Sequence, residues 1–250
     1  MRPVWHRGPG RLIAFEGIDG SGKSTQARLL YRWLQAQGIP VAQTSWNSSP
    51  LVSPAIRRGK NGRSLAPITF SLVHACDFAD RIEREVLPRL EAGHTVVADR
   101  YAFTGMARDV ARGVDSRWVR ELYDFAPMPH LTLYCEIAPE LAVRRLLDGR
   151  PRIKYYEAGL DVDPEARDRR RAFVRFQGRI AAEYGAMVDE FGLRRLDASR
   201  PLAEQQREVR AAVAALVDGV GGGAAVATGF GEVATGPGGT PEATEGQGHA

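Results

Sequence analysis

The chain has 250 residues, 44% of them apolar, and no apolar run of the roughly 18–20 residues a membrane-spanning helix needs, so it suits one α/β domain with an appendage and no membrane partner. All 34 Lys and Arg residues and 27 of the 30 acidic ones lie in residues 1–218, so this body carries +7 and the whole chain +4. That balance suits phosphorylated small molecules, and without a basic stripe interleaved with aromatics a nucleic-acid partner is not expected. Cys76 and Cys135 lack metal-type spacing and imply no disulfide framework, which fits a cytoplasmic location. Residues 1–10 are basic but lack the apolar core of a signal peptide and read as an N-terminal extension.

Leu12 to Phe15 is an apolar run that reads as a buried strand. It leads into Gly17-Ile18-Asp19-Gly20-Ser21-Gly22-Lys23-Ser24-Thr25, which contains G-x-x-x-x-G-K-S from Gly17 to Ser24. A segment with Leu29, Leu30, Trp33 and Leu34 at helical spacing follows. Strand, glycine loop and helix in that order make a phosphate-binding loop, because glycines let consecutive N–H groups converge on phosphate oxygens. The helix N-terminus adds partial positive charge, Lys23 can bridge the outer phosphates, and the Ser24 hydroxyl can ligate their magnesium.

A short second strand is expected over residues 38–44, then mostly loop with one short helix through residue 63, then a helix from Pro67 to Glu91. Its expected buried face holds Leu72, Ala75, Ala79, Ile82, Val86 and Leu90, with Pro88 kinking its end. Residues 94–101 form a buried strand closing on Asp99-Arg100-Tyr101, where the Asp can hold magnesium opposite Ser24 and the Arg can clamp a phosphoryl group. One or two helices over 103–126 precede a fourth strand over 129–137, and Pro139 opens another helix. Arg144, Arg145, Arg150, Arg152 and Lys154 then crowd a Gly- and Pro-bounded stretch that suits a lid over a triphosphate, about residues 148–163. A long amphipathic helix from about Glu165 to Phe191, a last strand over 193–198 and a helix from Pro201 to Val217 complete a kinase-type domain spanning 11–218. Residues 219–250, of which 11 are Gly, read as a disordered tail. Alternating strands and helices predict an α/β fold of P-loop NTPase type: a parallel sheet of about five strands with helices on both faces.

Four stretches in this order carry a resemblance: Phe15 to Thr25, Phe78-Ala79-Asp80-Arg81, Asp99-Arg100-Tyr101 and Leu196-Asp197-Ala198-Ser199. Over about residues 10–217 they resemble the thymidylate kinase family. The resemblance implies ATP as donor, Mg2+ as cofactor and in-line phosphoryl transfer to a nucleoside monophosphate, dTMP giving dTDP. It implies that Gly17 to Thr25 hold the ATP phosphates and that Asp19 meets the acceptor sugar. Arg81 would reach the acceptor base, Arg100 its phosphate, and Asp99 with Ser24 the magnesium shell. Gly20, where one branch of the family has Arg, resembles the branch whose catalytic arginine comes from the lid. Arg150 and Arg152 are then candidates, with Arg145 behind them, beside Lys23 and Arg100. Family members commonly pair through long helices, which leaves a homodimer open.

The acceptor side departs from the pattern. Asp77 stands where an aromatic would stack on thymine, Ser45 to Pro50 replaces an Arg-Glu-Pro stretch, and Gly105, Met106 and Arg108 replace polar and aromatic base contacts. Lys154 to Glu157 replaces the usual Asp-Arg-x-Glu of the lid. An inward-pointing Asp77 would favour an amino-bearing base edge and hence an acceptor other than dTMP. Another nucleotide or nucleoside kinase, or a non-catalytic nucleotide-binding switch, stays open at this stage.

Overall fold

The structure, a computed structural model, describes residues 4–5 and 8–217. The tail expected from residue 219 and most of the first seven residues lie outside the described residues. The chain begins with β1 (Val4–Trp5), β2 (Arg11–Glu16), α1 (Lys23–Ala36), β3 (Val41–Ser45), α2 (Ser53–Asn61) and α3 (Pro67–Arg81). A π-turn (Ile82–Val86) leads into α4 (Leu87–Glu91), then β4 (Thr95–Asp99), α5 (Ala102–Val110), α6 (Ser116–Leu122) and β5 (Pro127–Met128). β6 (Leu131–Glu136), α7 (Pro139–Gly149), α8 (Arg169–Phe191), β7 (Arg194–Asp197) and α9 (Leu202–Val217) follow.

Five strands form one parallel sheet in the order β3-β4-β2-β6-β7. The middle strands are apolar runs because both of their faces are covered: Leu12 to Phe15 and Val96 to Ala98 are fully buried. α1 packs on β2, β3 and β4 and on α9, while α8 packs on β6, α5 and α7. This is the α/β fold that the strand and helix alternation predicts. Register places Phe15, Asp99 and Ser45 side by side, so the segments leaving β2, β4 and β3 emerge together at the carboxyl edge. No helix among the described residues is long and apolar enough to cross a membrane.

Element boundaries differ where local chemistry decides them. α8 starts at Arg169, four residues later than expected, because the Asp168 carboxylate accepts the N–H groups of Arg170 and Arg171 and caps it there. The expected single helix from Pro67 widens into the π-turn just before Pro88, whose missing N–H and ring disfavour an uninterrupted α-ladder. Of its expected buried face, Ala75, Ile82, Val86 and Leu90 are buried and Ala79 is half-buried. Phe70, His74, Asp77, Phe78 and Arg81 point inward, whereas Leu72, expected in the core, is 47% exposed. A second, unpredicted pairing joins β1 to β5 in parallel.

Candidate active site

Gly17, Gly20 and Gly22 adopt φ of 142°, 85° and 88°, backbone that other residues rarely take. A Cβ on Gly17 would lie 2.7 Å from the Cys135 carbonyl oxygen, and one on Gly20 would collide with the Ala142 carbonyl oxygen of α7. Lys23 opens α1 and is buried, its Nζ donating to the Ile18 carbonyl at 2.9 Å and lying 3.9 Å from Asp19 Oδ1. Burial, reinforced by Arg100 and opposed by Asp19, pushes its ammonium down to about 8. Ser24 is exposed at the first turn.

Glu16, the last residue of β2, is fully buried and gathers four hydrogen bonds. Its Oε1 accepts the N–H groups of Tyr101 (2.8 Å) and Thr104 (3.1 Å). Its Oε2 accepts the hydroxyls of Thr104 (2.5 Å) and Tyr184 (2.7 Å). One carboxylate thereby satisfies the N-terminus of α5 and ties it to α8. The sequence reading gave Glu16 no role, and its signal was an acid inside an otherwise apolar strand.

Asp19 sits where three cations converge. Arg100 donates to Oδ1, Arg108 donates to Oδ2 at 2.7 Å, and Asp19's own N–H donates to Gln177 Oε1 at 3.0 Å. Burial opposes its charge, but Arg108, Arg100 and Lys23 outweigh burial and hold the carboxyl well below the usual carboxylate range. Arg100 has φ of 74°, a conformation costing a non-glycine residue about 1–2 kcal/mol. Two bonds hold it there: its N–H donates to the Phe15 carbonyl, and Arg81 Nη2 donates to its carbonyl at 3.1 Å. Asp99, beside it, has a buried Oδ1 with no hydrogen-bond partner.

Asp19, Arg100 and Arg108 form the floor of a cavity of about 630 Å³ walled by Trp46, Phe70 and Tyr156. Two expected base contacts are not on it. Asp77 does not face the cavity: its oxygens accept the N–H groups of Asn47 (3.0 Å) and Ser49 (3.1 Å), anchoring the loop after β3. Arg81 is 1% exposed behind Trp46, its guanidinium 5.5 Å from that ring and 5.1 Å from Phe78. Trp46 and Phe70 supply the aromatic wall that position 77 lacks. They escaped the sequence reading because one comes from a loop and the other from two turns before Asp77.

The lid arginines separate. Arg152 lines the cavity, whereas Arg150 pairs with Glu157 inside the lid and does not line it. Arg145 is tied to the carbonyls of Ala198 (2.6 Å) and Ser199 (3.3 Å), away from the cavity. The segment expected to be a lid is fastened by Arg112, in the turn after α5, which donates to Asp161 Oδ2 at 2.7 Å and to the Tyr156 carbonyl at 3.2 Å. Gln177 of α8 adds a bond to the Glu157 carbonyl at 2.8 Å.

A family model described as thymidylate kinase matches residues 15–183. A probable thymidylate kinase 2 of Saccharolobus solfataricus is 43% identical over 210 residues, covering 84% of this chain and 98% of that one. A probable thymidylate kinase of Staphylothermus marinus is 30% identical over 200 residues, covering 80% and 92%. One of Pyrococcus horikoshii is 34% identical over 143 residues, covering 55% and 70%.

Proposed function

The chain belongs to the thymidylate kinase family, and from that premise we propose that it transfers the γ-phosphoryl group of ATP to dTMP, giving ADP and dTDP, with the site residues in the roles below. One observation carries the assignment of roles: Asp19 joins the phosphate loop to Arg100 and Arg108 on the floor of a single cavity facing the lid. Donor and acceptor phosphates then meet at the loop, as in-line transfer requires.

Backbone N–H groups from Gly17 to Thr25 hold the donor phosphates, and Lys23 supplies the charge between the outer two. Asp19 accepts from the acceptor sugar hydroxyl, and Arg100 and Arg108 draw in the acceptor phosphate. Arg152, exposed on the lid and facing the cavity, is the arginine at the transferring phosphoryl, while Arg150 and Glu157 brace the lid. The collision of a residue-20 side chain with α7 supports a lid-borne arginine over a loop-borne one. The unpartnered Asp99 Oδ1 and the exposed Ser24 fit Mg2+, and no cluster of three metal-ligating side chains exists among the described residues. The ion would therefore share its shell with phosphate oxygens and water, and when bound it neutralises their charge. Ile68 and Leu72, 51% and 47% exposed one turn apart on α3, support a homodimer formed through that helix.

The test is a panel of nucleoside monophosphates and free nucleosides with ATP and Mg2+, scored by product mass. dTDP from dTMP is expected. Transfer only to a free nucleoside, or ATP binding without acceptor-dependent ADP release, overturns the reading.

A further inference from the structure

The last turn of α2 lines the cavity. Arg57, Lys60 and Asn61 share the face that lines it, while Ile56 is the buried anchor of that helix. A Cβ on Gly59 would meet the Leu65 side chain at 2.6 Å, so the turn is pressed against the following loop and its direction is set. Lys60 Nζ lies 5.4 Å from the Phe70 ring centroid, over the aromatic wall.

The three carboxylates that line the cavity or act on this ammonium are committed elsewhere. Asp19 is shared by Arg100 and Arg108, Asp77 holds the N–H groups of Asn47 and Ser49, and Glu157 is paired with Arg150. The other charged groups lining the cavity are cationic: Arg57 on α2 itself, Arg100 just after β4, Arg108 on α5, Arg152 and Lys154, and Arg169 at the start of α8, with Arg112 in the turn after α5 adding to their field. His74 on α3 is buried and held neutral, mainly by burial, with Lys60 adding to the effect.

The geometry points to Lys60 as a further acceptor-binding residue, an ammonium without a counter-ion that the anionic nucleotide completes on entering. This rests on the nucleoside monophosphate reading of the cavity. Burial, with Arg108, Arg112 and Arg100 adding to it, pushes Lys60 down to about 7, so near neutral pH a fraction of molecules carries a neutral amine. A dianionic acceptor favours the charged form, and its binding draws a proton onto Lys60. Acceptor affinity then falls as pH rises through and above that value.

The experiment measures the KM for dTMP of wild type, Lys60→Arg and Lys60→Met from pH 6.8 to 8.8, where the acceptor phosphate is dianionic. The wild-type KM should rise about six-fold across the range. Lys60→Arg, charged throughout, should stay flat near the low-pH wild-type value, and Lys60→Met should be flat and about ten-fold weaker, with kcat changing less than KM in both. A wild type that phosphorylates dTMP, beside a Lys60→Met variant with unchanged KM and the same pH slope, overturns the Lys60 assignment alone. A wild type that does not phosphorylate dTMP overturns the reading of the cavity on which it rests.

Discussion

Removing the carboxylate of Glu16 separates its acceptor role from mere space-filling. In Glu16→Ala the Tyr101 N–H loses its acceptor inside the protein, whereas the Thr104 N–H keeps the Tyr101 carbonyl at 3.1 Å. The hydroxyls of Thr104 and Tyr184 lie 3.0 Å apart and can satisfy one another, so the stranded Tyr101 donor and the space left by the side chain dominate the loss. At about 1–3 kcal/mol for the donor and about 1–2 kcal/mol for the cavity, the variant should lose about 2–5 kcal/mol. Glu16→Gln keeps one carbonyl oxygen for both N–H groups and turns an amide toward hydroxyls that can rotate to accept. Exchanging charge-assisted bonds for neutral ones there should cost only about 1–2 kcal/mol. Urea unfolding at constant pH, followed by circular dichroism, compares the three proteins. An Ala variant as stable as the Gln variant would refute the account of Glu16 as the cap of α5.

Gly20→Ala should lose about 2–4 kcal/mol, from left-handed backbone and from overpacking against α7, and its denaturation midpoint should show this even if kcat is retained. Asp109 is raised to about 7 by burial, with Arg112 opposing, from an ordinary value of 3.8. An acid raised on folding gives stability that is present below its unfolded value and lost as pH rises through its folded one. Asp109→Asn should therefore match wild type near pH 4 and exceed it by roughly 2–4 kcal/mol at pH 8, in unfolding curves across that range. Lys23→Ala should lower kcat by about 100-fold or more with the circular dichroism spectrum unchanged, and retained turnover would remove Lys23 from the mechanism. Leu72→Arg should shift light-scattering mass from dimer to monomer if α3 forms the interface.

The donor half was legible because its chemistry is local. Gly17 to Thr25 encodes the left-handed glycine turn and its buried lysine in nine consecutive residues, and the flanking strand and helix follow from short apolar patterns. The acceptor half is assembled from distant segments. Asp77 reads as a base contact only through the resemblance, and only the path of the loop after β3 shows that Asn47 and Ser49 claim both oxygens. Arg112 drew no reading from the sequence, yet it is buried against Asp161, a pairing 49 residues apart that no periodicity marks. The position of Leu72 on α3 misled for a related reason. The inward face of that helix carries His74, Asp77 and Arg81, so a search for the most apolar stripe selected Leu72 instead.

The contact between Gly20 and Ala142 also constrains how such a protein can change over generations. Any side chain at position 20 meets the carbonyl of α7, and α7 is the helix from which the lid departs. An arginine cannot move from lid to loop by one substitution, because the first step strains the loop before the new cation is in place. The helix must withdraw first, and that displacement carries the existing lid arginine with it. The two locations for this charge are thus separated by intermediates that hold neither arrangement well, so descendants of this chain should keep glycine at position 20 as long as they keep Arg152.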